Sequence, residues 1–117
     1  MEYLNTGSHL GTGSTTVLSA STTTKYLVKT IHATNVFSAD TSFNVSWVDN
    51  SGSQTYYLGY NITIPQSSSF QALDGTFTLD NLDSLQASCG NANAIDLSIS
   101  VASELITSLN SEMASDI

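Results

Sequence analysis

The sequence predicts an all-β chain, folded as an antiparallel sandwich of about eight short strands. Three observations lead there. Apolar and polar residues alternate without a break over Ile95-Asp96-Leu97-Ser98-Ile99-Ser100-Val101. Because successive side chains on a strand point to opposite faces, such a run buries one face and wets the other. Turn-forming residues punctuate the chain at short intervals, and no segment of helical periodicity separates the alternating runs, which argues against the helix-connected strands of a parallel sheet.

Residues 1–14 carry Gly7, Gly11 and Gly13 among Ser and Thr, with Tyr3 and Leu4 as the main apolar anchors. That composition predicts a flexible N-terminal arm, which Tyr3 and Leu4 would pin to a neighbouring subunit in an assembly. Strands are expected next at 15–20, 26–36, 42–48 and 54–64. Between the last two, Asp49-Asn50-Ser51-Gly52 offers Asn and Gly for the positive φ of a tight hairpin. Phe43, Val45 and Trp47 share one face of their strand, as do Tyr56, Leu58, Tyr60, Ile62 and Ile64 of the next, and both stripes are expected to face the core. Pro65 has no backbone donor and ends that strand. Shorter strands are expected at 70–73, 76–79 and 84–89, turned by Asp74-Gly75 and Asp80-Asn81, and Gly90-Asn91-Ala92-Asn93 leads into the final strand.

The rhythm then changes. Leu105, Leu109 and Met113 are spaced four apart and are joined by Ile106 and Ile117, which predicts an apolar C-terminal tail or short helix that needs a surface to lie on. The expected organisation is an arm at 1–14, a sandwich domain at 15–102 and a tail at 103–117.

At 117 residues the chain has room for one core. Only 10% of it is charged, against about 25% in an average soluble protein, so its polar surface is built from Ser, Thr, Asn and Gln. Ten acidic residues against Lys25 and Lys29 leave a net charge of -8. No basic patch exists to neutralise phosphates, and anionic lipid headgroups repel such a surface, so neither nucleic acid nor membrane is expected as a partner. No apolar run approaches the roughly 20 residues of a membrane span. The start Met1-Glu2-Tyr3-Leu4-Asn5 lacks the basic and apolar regions of a signal peptide, and the expected place of synthesis is the cytoplasm.

Residues that carry chemistry are sparse. His9 and His32 have no second ligand at metal-binding spacing, and a zinc or histidine-based centre needs several convergent groups. Asp74, Asp80 and Asp83 lie close in sequence but lack the order of a calcium loop, and turn aspartates that cap local amides explain them more simply. Asn44-Val45-Ser46 and Asn61-Ile62-Thr63 match the N-glycosylation pattern, as short motifs do by chance in a chain this rich in Asn, Ser and Thr. Cys89 has no cationic neighbour in sequence and reads as a small buried hydrophobe. Of Tyr56, Tyr57 and Tyr60, alternation leaves mainly Tyr57 outward, a narrow basis for a sugar-binding platform. No catalytic residue, cofactor or metal ligand is assigned, and the chain is expected not to be an enzyme.

Two segments resemble small virion proteins of tailed bacteriophages. Lys29-Thr30-Ile31-His32-Ala33-Thr34-Asn35 is similar to an early strand of that group, in which Asn marks the exit from the sheet. Leu79-Asp80-Asn81-Leu82-Asp83-Ser84-Leu85-Gln86-Ala87 is similar to a later turn and strand. Pro65 lies between them in matching order, and the resemblance spans roughly residues 15–101. Leu82 stands where the pattern often has Gly before Asp-Ser, which leaves the turn geometry open.

The resemblance implies a jelly-roll-like β-sandwich on a phage particle, and no catalytic residues. The expected function is a capsid decoration (cement) protein that bridges and stabilises major capsid subunits as a homo-oligomer, a trimer by analogy with threefold positions on a capsid. Its expected location is the virion surface. The expected assembly contacts are Tyr3, Leu4, Leu105, Leu109 and Met113. The alternative is a tail, neck or fibre component that contacts the host, by glycan binding among other means.

Overall fold

The computed structural model describes residues 2–105. These form nine strands: β1 (Glu2–His9), β2 (Thr15–Ser19), β3 (Thr24–Asn35), β4 (Thr41–Asp49), β5 (Gln54–Ile64), β6 (Ser69–Gln71), β7 (Phe77–Leu79), β8 (Ser84–Cys89) and β9 (Ile95–Leu105). No helix occurs among the described residues. The strands make two antiparallel sheets, one of five strands in the order β1-β9-β3-β6 with β7 also on β3, the other of four in the order β2-β8-β4-β5.

One core lies between the sheets. Val28, Ile31 and Ala33 of β3 and Ile95, Leu97, Ile99 and Val101 of β9 face Phe43 and Val45 of β4 and Leu85, Ala87 and Cys89 of β8, all buried. Edge-on aromatic contacts join Phe43 to Phe70 and Trp47 to Phe77 across the sandwich. Alternation thus places Phe43, Val45 and the odd-numbered residues of 95–101 as expected.

Several expectations are corrected. The flexible arm expected at 1–14 is largely a strand: β1 pairs with β9 in unbroken register, from Glu2 opposite Ser103 to His9 opposite Asp96. Without it the free backbone groups along one side of β9 would have no strand partner, and the ladder satisfies them whatever side chains β1 carries. Gly7 does not break it, because an edge strand tolerates a small residue there. Leu10, buried, then carries the chain toward the second sheet.

The first three residues of the tail expected at 103–117 belong instead to a strand. Ser103, Glu104 and Leu105 are the end of β9, with Leu105 opposite Thr24 of β3. Leu109 and Met113 lie outside the described residues. The hairpin at Asp49-Asn50-Ser51-Gly52 does join β4 to β5, but the residue with positive φ is Ser53, at 53°, and not Asn50 or Gly52. Leu82, the departure noted in sequence, takes a φ of 64°, so a leucine adopts the left-handed conformation that a glycine would adopt with less strain.

Candidate functional site

Backbone irregularity in β5 brings Tyr60 to the same outer face as Tyr57. Along β4 the residues Phe43, Val45, Ser46 and Trp47 pair with Ile62, Gly59, Tyr57 and Tyr56, with register shifts on both sides of Val45. β5 therefore holds extra residues in two places, at Leu58 and at Tyr60-Asn61. An extra residue on one strand interrupts simple alternation and re-aims the side chains beyond it. Asn61 sits at a φ of 51° within the second irregularity. Its backbone N–H donates to Asn44 Oδ1 at 2.7 Å, while Asn44 Nδ2 donates to Ser88 Oγ at 3.4 Å. Asn44 thus ties the bulge of β5 across β4 to β8.

The core stripe expected for this strand is accordingly wrong at Tyr60, whereas Tyr56 keeps the face of Trp47 and is half exposed at the sheet edge. Tyr56 and Tyr60 are 49% and 65% exposed, and Tyr57 is 59% exposed. Tyr56 stacks on Trp47 with ring centroids 5.2 Å apart. Tyr57 and Tyr60 meet edge to face at 4.7 Å. A Gly and an Asn inside an alternating run, Gly59 and Asn61, are the sequence signal that could have announced the irregularity.

Tyr57 and Tyr60 form one wall of a groove of about 260 Å³ on the outer face of the four-stranded sheet. Asn44 and Ser46 of β4 and Gln86 and Ser88 of β8 line it, with Thr55 and Asn61 from β5 and Ser14 on the far side. Cross-strand registry places Asn44 opposite Ser88 and Ser46 opposite Gln86. Ser14 Oγ donates to Gln86 Oε1 at 3.2 Å. The lining contains no charged side chain. Chemically it offers two aromatic rings beside neutral amides and hydroxyls, groups that donate and accept hydrogen bonds but neither transfer protons readily near neutral pH nor hold a metal.

A second exposed surface lies at one end of the five-stranded sheet. Tyr3 is opposite Ala102 and Leu4 opposite Val101 on β9, the strand that ends at Leu105. Tyr3 is 70% and Leu4 40% exposed, on opposite faces of the strand as consecutive residues must be, and Leu105, opposite Thr24 of β3, is exposed at the same end of the sheet. Lys29, at the register shift between Val28 and Thr30, reaches over the Tyr3 ring with Nζ 4.7 Å from its centroid. Three of the five expected contact residues thus share one end of one sheet.

The ionisable groups serve the scaffold. Asp83 is buried and accepts from Trp47 Nε1 at 3.2 Å, from the Asn50 backbone N–H at 3.0 Å and from that of Asp80 at 3.3 Å. Asp49 Oδ1 accepts from Ser51 Oγ and the Gly52 N–H, and Asp80 Oδ1 from the Asn81 N–H. The turn-capping reading of Asp80 and Asp83 fits these bonds. His9, expected in a flexible arm, lies in β1 with Nδ1 2.7 Å from Asp96 Oδ1 on the neighbouring strand, a pairing 87 residues apart in sequence. Cys89 is buried, and its Sγ donates to the Asn91 carbonyl at 3.0 Å. Among the described residues no group of three or more His, Cys, Asp or Glu could hold a metal ion, and no helix is long and apolar enough to cross a membrane.

No family model, curated protein or solved structure matches the chain.

Proposed function

We propose that the protein is a non-enzymatic structural subunit of a tailed-bacteriophage particle: a capsid decoration protein that binds the major capsid protein and associates with itself, as a trimer. The observation that carries this reading is β1. Among the described residues it is an eight-residue edge strand in unbroken register, without a lysine or proline, and it exposes Tyr3 and Leu4. A regular, unprotected edge is a template for another chain, and natural proteins blunt such edges unless they use them. Covering it against a neighbour satisfies its free backbone groups, with Tyr3 and Leu4 available for contact on either face.

The strand order supports a jelly roll as the finer description of the fold. Consecutive strands cross between the sheets except at the β4–β5 hairpin and the β6–β7 pair, and the order β1-β9-β3-β6 opposite β2-β8-β4-β5 is the double-sheet arrangement of that class. Together with the resemblance of residues 29–35 and 79–87 to phage virion proteins, this supports a place on the capsid surface. The outward polar residues of both sheets, mostly Ser, Thr, Asn and Gln, form neutral hydrogen-bonding surface that packs against protein with little charge to desolvate.

Imaging of intact particles tests the proposal. Hundreds of copies in a regular array over capsid junctions are expected, whereas a few to a few dozen copies at one vertex would move the protein to a tail or neck position. A particle carrying Tyr3→Ser and Leu4→Ser is expected to lose occupancy while the isolated variant keeps its β-sheet circular dichroism; full occupancy would remove β1 from the contact.

A further inference from the structure

We propose that the groove on the outer face of the four-stranded sheet is a binding site for a neutral saccharide. Its wall and its lining each match one half of the chemistry of a sugar. A pyranose ring presents an apolar face of C–H groups, which packs against aromatic rings, and a rim of hydroxyls, each both donor and acceptor. Tyr57 and Tyr60 supply the rings, more than half exposed and held at a fixed mutual angle by their own edge-to-face contact. Asn44, Ser46, Gln86 and Ser88 supply groups that donate and accept.

Two further features separate this site from a merely wet surface. Three of the four polar groups are held in place before any ligand arrives, because Asn44 is bonded to Asn61 and Ser88, and Gln86 to Ser14. Preorganised side chains lose little freedom on binding. Tyr60 is also brought to the face of Tyr57 by specific backbone irregularity, with Asn61 in a left-handed conformation that an ordinary strand avoids. A regular β5 would not bring Tyr57 and Tyr60 to one wall.

Charge selects the class of saccharide. The groove contains no cation, and the two lysines of the chain, Lys25 and Lys29, both lie on β3 of the opposite sheet. Sialylated, uronic and sulfated sugars would meet a chain of net charge -8 with no local counter-charge, so the site favours uncharged hexoses and N-acetylhexosamines. The groove is small and open, which makes a single contact weak. Many copies on one particle would convert weak contacts into firm attachment.

The test uses the full chain, labelled with nitrogen-15, titrated at millimolar concentration with neutral oligosaccharides ending in mannose, glucose, galactose or N-acetylglucosamine and, in parallel, with sialyllactose. The expected result is amide shifts at Asn44, Ser46, Tyr57, Asn61, Gln86 and Ser88 with at least one neutral sugar and none with sialyllactose. Tyr57→Ala and Tyr60→Ala should each weaken that binding about tenfold while the remaining amide spectrum stays folded. Tyr57→Phe, which keeps the ring, should retain most of it. Absence of groove shifts with every neutral sugar overturns the proposal, as does equal binding of sialyllactose or unchanged affinity in both alanine variants. Groove shifts that appear on raising protein concentration without sugar would assign the face to self-association and likewise overturn it.

Discussion

Of the two long edge strands, β1 keeps an unbroken register with β9 over its eight residues, whereas β5 departs twice from β4 within eleven. Both expose a row of backbone groups to solvent, and a row of that kind invites pairing. In β5 the two irregularities interrupt the row and bring Tyr60 to the outer face beside Tyr57. In β1 nothing interrupts it. One edge therefore presents side chains, and the other presents backbone. The sandwich separates two kinds of surface by regularity alone, since neither edge carries a lysine or a proline within its strand.

The sharpest way to break the contrast is at the root of β5. Asp83 anchors the incoming hairpin through the Asn50 N–H and holds Trp47, on which Tyr56 stacks. Asp83→Ala strands three donors around a buried site and is expected to cost about 3 kcal/mol, measured as a lower midpoint of urea unfolding with an unchanged slope. A loss below about 1 kcal/mol would mean that the hairpin is anchored elsewhere. A smaller effect is expected from Asn44→Ala, which releases the Asn61 N–H. About 1 kcal/mol of stability should go, and amide shifts should concentrate at residues 57–61 while β1 is untouched. Shifts spread evenly over both edges would show that the bulge does not depend on Asn44.

The smallest effect sharpens the other side of the comparison. A Cβ built on Gly7 would meet only the Leu97 carbonyl oxygen, at an ordinary 3.7 Å. Gly7→Val is therefore expected to stabilise by about 0.5 kcal/mol, seen as a modest rise in melting temperature. A clear fall would show that β1 is less regular or more crowded than its register indicates.

Much of the scaffold was legible because alternation survives wherever pairing is regular. Phe43, Val45, Cys89 and the alternating residues of 95–101 fall on the predicted faces. The same rule misplaced Tyr60, because an extra residue in β5 resets the face of the residues beyond it, and it missed the exposure of Tyr56, which keeps the face of Trp47 but lies on an edge strand. β1 was hidden for a different reason. Its Gly, Ser, Thr and Asn content resembles a linker, and its strand conformation comes from the partner that β9 offers, a tertiary influence that local composition does not carry. The capping role of the aspartates could be read from their turns, but the bond between Asp83 and Trp47 spans 36 residues and that between His9 and Asp96 spans 87. The groove was half legible: its tyrosines were visible as a cluster, while the amides opposite them come from strands far apart in sequence.

Cys89 closes the seam where the chain passes from β1 to β2 and from β8 to β9. Its backbone N–H donates to the Gly11 carbonyl at 2.9 Å, and its thiol points to the Asn91 carbonyl. As the only cysteine in the chain, it is a built-in timer for that seam. A thiol reagent can label it only during moments when the seam opens, so the labelling rate divided by that of a free thiol gives the fraction of time spent open. Measured at several protein concentrations, that single rate would report whether contact at the Tyr3 end of β1 quiets the interior at its other end.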